Sequence, residues 1–202
     1  MALSGGPDSV CLLFLLQRLA SSRARSHIRG CTNNIVAFTV NHRLQSNSTA
    51  MVLAAAQFAR SLNIPHHAST IEWGEPPFPC MPTYDAKVES VARKVRYHLL
   101  LDMMKHERLQ VLCTGHHHDD QIETALMRLH KGSTRLGLAG MRDVRRWGMG
   151  DHKSYFDGLG WAGSSGMRSW IARPLLGIRK VTYHCEPACR LNNLDFICRI
   201  AF

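Results

Sequence analysis

Apolar residues recur along this chain in two alternating rhythms. Residues 10–20 (VCLLFLLQRLA) are dense in aliphatic side chains and predict a buried helix. Residues 35–40 (IVAFTV) are a short β-branched run and predict a strand. Helical spacing returns at Val52, Ala55, Ala56, Ala59 and Leu62 within residues 47–62. It returns again at Val88, Val91, Ala92, Val95, Leu99 and Met103 within residues 84–107. Further strands are expected over 65–71, 111–114, 171–175 and 195–200, and further helices over 120–130 and 179–192. Pro76, Pro77, Pro79 and Pro82 mark an exposed loop, and the glycine-rich stretch 148–166 reads as a loop or insertion within a region near 143–170. Strands alternating with helices predict an α/β fold, a doubly wound parallel sheet with helices on both faces. A single domain is expected over residues 1–202. In such sheets ligands bind beyond the carboxyl ends of the strands. Two polar loops, 4–9 and 115–120, each sit between a strand and a helix and are expected to meet at one crevice.

Composition narrows the class. The chain has 202 residues, 45% hydrophobic and 20% charged, which excludes collagen, a mucin-like stalk and a wholly disordered chain. The longest apolar run, residues 10–16, is too short to span a membrane, so no membrane partner is expected. Lys and Arg number 25 against 15 Asp and Glu, a net charge of +10. That excess points to a polyanion, nucleic acid first, although small basic proteins without such partners also exist. The 7 cysteines include no Cys-x-x-Cys pair, which argues against a zinc ribbon, an iron–sulfur cluster or a disulfide framework. Reduced thiols in an intracellular compartment are expected. No Lys or Arg precedes residues 10–16 while Asp8 does, unlike a secretory signal. The Arg- and Ser-rich, acid-free stretch 18–29 keeps an organellar destination open beside the cytoplasm.

Four segments carry candidate chemistry. Ser4, Gly5, Gly6, Pro7, Asp8 and Ser9 form a loop in which two glycines allow a tight turn and close backbone approach. A helix beginning near Asp8 turns its amide N–H groups and positive dipole end toward a ligand. Such a loop suits a pyrophosphate, but Asp8 repels bare phosphate, so a magnesium ion between the two is expected. The loop lacks the Gly-Lys-Ser/Thr ending of a Walker motif. Read alone, it is equally a glycine-rich helix cap with an acid suited to the dipole.

The second segment is His116-His117-His118-Asp119-Asp120-Gln121-Ile122-Glu123-Thr124. Its order does not place zinc ligands on one helix face, whereas the hard oxygens of Asp119 or Asp120 suit magnesium. Its plainer reading is a helix start with Asp119 as cap and Glu123 as a first-turn acid. Third, Glu89, Arg93 and Arg96 share one face of the long helix, which alone describes a solvated salt-bridge face. Fourth, Arg173 ends a strand just before Pro174, in reach of a phosphate or simply on the surface.

The order and spacing of these segments resemble the tRNA(Ile)-lysidine synthetases, members of the PP-loop (N-type) ATP pyrophosphatases with an adenine nucleotide alpha hydrolase-like fold. Residues 4–9 match the family's Ser-Gly-Gly-x-Asp-Ser loop. Asn41-His42-Arg43-Leu44 resembles its Asp/His-His-Gly-Leu segment, with Arg43 in place of Gly. Residues 89–97 match Glu-x-x-Ala-Arg-x-x-Arg-Tyr, and 117–124 match His-x-Asp-Asp-Gln-x-Glu-Thr. Lys131-Gly132-Ser133, then Gly137-Leu138-Ala139-Gly140-Met141, resemble Arg-Gly-Ser-Gly-x-x-Gly-Leu-x-Gly-Met, and Arg173-Pro174-Leu175-Leu176 match Arg-Pro-Leu-Leu.

The resemblance implies a ligase that modifies the wobble cytidine of tRNA(Ile) with a CAU anticodon. ATP adenylates the cytidine with loss of pyrophosphate, and free lysine then displaces AMP. Ser4, Gly5, Gly6, Pro7, Asp8, Ser9 and His117 are the implied ATP contacts. Asp8, Asp119 and Asp120 are the implied Mg2+ ligands, and Arg173 and Glu89 the implied groups for the α-phosphate and the lysine amine. Arg93, Arg96, Lys131 and Ser133 are candidate tRNA or lysine contacts. Three residues precede the loop where the family has a full first strand, so marginal stability and truncation at both ends are expected, with no C-terminal tRNA-binding domains. The alternatives are a tRNA 2-thiolation enzyme of the same superfamily, against which the missing Cys-x-x-Cys pairs and Pro7 speak, and an inactive remnant that binds ATP or tRNA.

Overall fold

The computed structural model describes residues 1–25, 34–82, 85–132, 139–148 and 162–180. The elements run α1 (Pro7–Arg25), β1 (Ala37–Asn41), α2 (Ser48–Ser61), β2 (His66–Thr70), α3 (Asp85–His106), β3 (Val111–Cys113), α4 (His118–His130), β4 (Val144–Arg146), α5 (Gly163–Arg168) and β5 (Trp170–Ala172). Local sequence explains most boundaries. α1 opens on Pro7, whose fixed φ and missing N–H suit a first helical position. α2 sits between Asn47 and Leu62 as caps, the span its periodicity predicts. The expected helix 179–192 and strand 195–200 lie outside the described residues, save Arg179 and Lys180.

β1 pairs in parallel with β2, Ala37 opposite His66 and Asn41 opposite Thr70. β3 pairs in parallel with β5, Val111 opposite Trp170. The first three residues join these two halves. Phe38 N–H donates to Met1 O at 2.8 Å and Leu3 N–H to Phe38 O at 2.7 Å, while Ala2 N–H donates to Cys113 O at 2.9 Å. Met1 to Leu3 thus fill the position between β1 and β3, short though they are.

One sequence expectation needs correction. The sheet is not wholly parallel, because β4 runs antiparallel to β5 with Val144 opposite Ala172. The region 143–170, read as a loop or insertion, holds β4 and α5, while its residues 149–161 lie outside the described ones.

Strand alternation sends neighbouring side chains to opposite faces. Ala37 packs with Leu12 and Leu13 of α1 and Ala55 and Ala59 of α2. Val36 and Phe38 pack with Leu100 and Met104 of α3 and with Leu112. Helices therefore cover both faces, as the alternation of elements predicts. Among the described residues, no helix is long and apolar enough to cross a membrane.

Arg43 adopts φ of 51°, the left-handed region that favours glycine. This is the position where the resembled segment carries Gly. Its N–H donates to Asn41 Oδ1 at 3.0 Å, and its guanidinium pairs with Glu72 across the turn. A side chain here costs on the order of 1 kcal/mol of backbone strain.

Leu3 is 1% exposed and belongs to the core shared by α1 and α2. Leu3→Ala is expected to cost about 2–5 kcal/mol in urea denaturation followed by circular dichroism. A cost below about 0.5 kcal/mol, the range of surface changes, would show that the sheet does not depend on this short central segment.

Candidate functional site

The turn that leaves Leu3 is closed by its own hydroxyls. Ser9 Oγ donates to Gly6 O at 2.9 Å and accepts from Ser4 N–H at 3.2 Å. Ser4 Oγ lies 3.1 Å from Ser9 Oγ and accepts from Gly6 N–H at 3.4 Å. Gly5 takes φ of 82°, which a side chain would strain. The amino end of α1 follows directly, so a pre-shaped loop meets the positive end of a helix.

The second polar loop touches the first. A Cβ on Gly115 would stand 3.1 Å from the carbonyl carbon and oxygen of Asp8 and from Ser9 N, so a side chain here would push the two turns apart by a few tenths of an ångström. Beyond it, His117 caps α4. Asp120 N–H donates to His117 Nδ1 at 3.4 Å, and His117 N–H donates back to Asp120 Oδ2 at 2.8 Å. The cap is therefore His117, not Asp119 as the plainer sequence reading has it. Buried His117 lies between three carboxylates. Its Nε2 is 3.7 Å from Asp8 Oδ2 and 3.6 Å from Asp120 Oδ2, and its Nδ1 is 3.8 Å from Asp119 Oδ2. Asp119 also accepts the Lys180 N–H at 3.1 Å, and the Lys180 ammonium reaches Asp8 at 3.4 Å.

These turns border a cleft of about 660 Å³ at the carboxyl ends of the first strand and β1, walled on its other side by α3. Glu89, Arg93, Arg96 and Tyr97 line that wall. The guanidinium groups of Arg93 and Arg96 lie 5.5 and 5.8 Å from the Tyr97 ring centre, a cation–π arrangement that aims two charges along the cleft. Burial lowers the pKa of Arg96. His42 and His116 also line the cleft. Burial, then the charge of Arg96, pushes His42 down to about 4. Burial, then the charge of Arg173, pushes His116 down to about 4 as well. Thr114 Oγ1 holds His116 Nδ1 at 2.8 Å. Arg173 is 3% exposed, donates from Nη1 to Arg142 O at 2.7 Å, and keeps a buried Nε without a partner.

A family model described as a PP-loop domain matches residues 1–197. The chain belongs to the PP-loop family. It is 35% identical over 181 residues to the tRNA(Ile)-lysidine synthase of Bradyrhizobium sp., covering 89% of this chain and 41% of that protein. It is 32% identical over 162 residues to the tRNA(Ile)-lysidine synthase of Novosphingobium aromaticivorans, covering 80% and 44%. The chain thus spans roughly two fifths of the length of these relatives (41% and 44%). Among solved structures, the U34-tRNA thiolase NcsA from Methanococcus maripaludis, solved with its 4Fe–4S cluster, superposes with a TM-score of 0.59 at 19% identity, over 100% of this chain and 63% of that one. At that identity the likeness speaks for the fold alone.

Seen as a PP-loop site, the cleft gathers Ser4, Asp8, Ser9, Glu89, Arg93 and Arg96 on its lining. Asp119 and Asp120 stand beside it around His117. Arg173 is set deeper, in electrostatic contact with Tyr97 and His116. Lys131 is not brought to the cleft: it is exposed at the far end of α4, about 20 Å along the helix at 1.5 Å per residue. Ser133 lies outside the described residues. The PP-loop motifs also explain a distant pairing. Gln121 accepts Met141 N–H at 2.6 Å and donates to Met141 O at 2.8 Å. A Cβ on Gly140 would stand 2.6 Å from Gln121 Oε1, so Gln121 and Gly140-Met141 belong to one clamp.

Sequence reasoning left Asn41, His42, Tyr97, His116 and Lys180 off the site. Asn41 ends β1 and His42 follows it, and the carboxyl end of a strand is where a ligand site is expected. Tyr97 and His116 sit inside quoted motifs. Lys180 stands 172 residues from its carboxylate partner, and no local pattern announces it.

The donor set fits a magnesium ion shared with phosphates. Mg2+ takes one or two protein carboxylates and fills its remaining positions with phosphate and water oxygens. Asp8 and Asp119, which meet Lys180 through its ammonium and its backbone N–H, could exchange those contacts for a metal, whereas Asp120 closes the α4 cap. Among the described residues, no group of three or more His, Cys, Asp or Glu is arranged to hold a metal unaided.

The two depressed histidines give the fold an acid limit. As pH falls below the ordinary value of 6.5, the unfolded chain takes up protons that native His42 and His116 refuse until about 4. Stability contributed by their neutral forms is full above pH 6.5 and is lost across the window from there to about 4. His42→Gln combined with His116→Gln is expected to flatten that part of the pH–stability curve, read by urea midpoints at fixed pH. An unchanged slope would place the acid sensitivity elsewhere.

Proposed function

We propose that this PP-loop chain performs the ATP-dependent ligation of lysine to the wobble cytidine of tRNA(Ile) with a CAU anticodon. The observation that carries the reading is the contact of the two loops through Gly115, which sets a phosphate-shaped turn against carboxylates at one end of an Arg-lined cleft. The names of the relatives, tRNA(Ile)-lysidine synthase, supply the substrate class.

In this reading the Ser4–Ser9 turn and the amino end of α1 hold the β- and γ-phosphates as the leaving pyrophosphate. The cytidine C2 oxygen forms a bond to the α-phosphorus, and the bond from that phosphorus to the bridging oxygen breaks. Asp8 and Asp119 would hold a Mg2+, which would neutralise charge at the phosphates. Arg173, with its unpartnered buried Nε, is the candidate donor to the α-phosphate. The lysine ε-amine then attacks C2, AMP departs, and the amine loses its proton. Glu89, exposed on the cleft wall, is suited to hold the lysine ammonium before that step. Arg93 and Arg96 offer fixed positive charge to the tRNA backbone. The +10 charge of the chain supports the same partner.

The runner-up is thiolation of a tRNA base after the same adenylation. The 7 cysteines lack a Cys-x-x-Cys pair, which supports lysine over sulfur as the second nucleophile.

Release of labelled pyrophosphate from ATP is the test. Release is expected to require both Mg2+ and a CAU-anticodon tRNA, with lysidine forming only when lysine is added. It should fall steeply with salt, because each neutralised phosphate steepens the dependence of log affinity on log salt. Asp8→Ala is expected to lower the release rate by about 100-fold or more, the scale of losing one preorganised electrostatic group. Release indifferent to tRNA would make the chain a plain ATP hydrolase, and sulfur transfer would establish the thiolation reading.

A further inference from the structure

We propose that Lys180 is the phosphate-gripping cation of the loop, its ammonium moving from Asp8 to the β- and γ-phosphate oxygens when ATP binds. The inference rests on the ATP reading above and adds a residue that the loop motif does not contain.

The need for such a cation follows from the loop's composition. A Walker-type loop carries its phosphate lysine within the motif. Here the corresponding stretch is Gly6-Pro7-Asp8-Ser9, which adds a negative charge instead of a positive one. The helix end contributes roughly half a positive charge, far short of what a triphosphate carries. Besides a Mg2+ shared with the carboxylates, further positive charge has to come from other elements.

Among the described residues, the ammonium brought to the loop is that of Lys180, 3.4 Å from Asp8 Oδ2. Its backbone is fixed while its side chain is not. Lys180 N–H donates to Asp119 Oδ2 at 3.1 Å, and two residues earlier Ile178 O accepts from His118 N–H at 2.9 Å. These bonds pin the segment to the start of α4. The Lys180 side chain is 42% exposed and, among the described residues, meets Asp8 in a long contact, so it can swing a few ångströms at little cost. The arginines nearby serve other positions in the proposed reading, Arg173 the α-phosphate and Arg93 and Arg96 the tRNA backbone. Arg93 and Arg96 stack on Tyr97, and Arg173 is buried against Arg142 O. A strongly hydrated, flexible lysine on an anchored backbone suits a phosphate that must be held and then released.

The experiment compares two nucleotides. Calorimetry measures ATP and AMP binding, with Mg2+ present, to the full chain and to Lys180→Met and Lys180→Arg. The proposal expects Lys180→Met to lose about 10- to 100-fold in ATP affinity, the value of a hydrogen bond to a charged group, with AMP affinity unchanged. Lys180→Arg should recover most of the loss, because it restores the charge. Equal losses for ATP and AMP would mean that the side chain only shapes the site, and unchanged ATP affinity would mean that it does not reach the phosphates. Either result overturns the proposal. Failure of the unaltered chain to bind ATP would instead overturn the ATP reading itself, and this proposal with it. Because the anchoring bonds use backbone atoms, both variants are expected to keep the wild-type melting temperature.

Discussion

The hydrogen bonds of Ala2 and Leu3 hold this molecule together. Ala2 N–H reaches Cys113 O and Leu3 N–H reaches Phe38 O, so three residues tie the β1–β2 pair to the β3–β5–β4 set. Thr39 adds a side-chain bond, its Oγ1 donating to Leu3 O at 2.8 Å. The consequence is positional. Ser4 follows Leu3 directly, so the direction in which the loop leaves the sheet is set by these bonds. Gly115 follows β3 by two residues and is carried by the same set of bonds through Cys113. Without this joint the two loops would belong to separate halves, and their close approach at Gly115 would have no frame.

That dependence shows why part of the molecule was legible from sequence and part was not. α2 and α3 announce themselves because their buried residues recur at helical spacing, and β1 because it is β-branched and buried on both faces. The two loops were legible because their chemistry is local: glycines, hydroxyls and acids within six or nine residues of sequence. β4 was not legible. Val144-Arg145-Arg146 has no alternation and a single apolar residue, and it is a strand because β5 offers it an edge. α5 was hidden for a related reason. Its Gly166 reads as a loop residue, yet glycine is required there because a Cβ would stand 2.0 Å from Gly148 O. Tertiary contact, not local preference, decided both elements.

The cleft's charges divide by how firmly they are held. Arg173 is buried and bonded to a carbonyl, Arg96 is half-buried on Tyr97, and His42 and His116 are kept neutral by burial and by those same cations. This wall is a fixed field, prepared before any ligand enters, and such preorganisation is what makes charge effective against a developing negative centre. Neutral histidines beside arginines also keep the wall from accumulating repulsive charge.

The opposite end of the cleft works differently. Asp8 meets His117, Lys180 and the amino end of its own helix, while Asp119 meets His117 and a backbone N–H. Each carboxylate is thereby compensated by a weaker or longer contact than a direct bidentate pair would give. A strong pair at Asp8 would be harder to break and would resist exchange for phosphate and metal. A bare carboxylate would repel the triphosphate before it arrived. The 3.4 Å contact with a half-exposed lysine lies between these limits. In the proposed reading this contact lowers the barrier to entry and can be exchanged for phosphate and metal. On that same reading one end of the site stays still and the other trades partners, which is the arrangement a reaction needs when its leaving group must first be gripped and then let go.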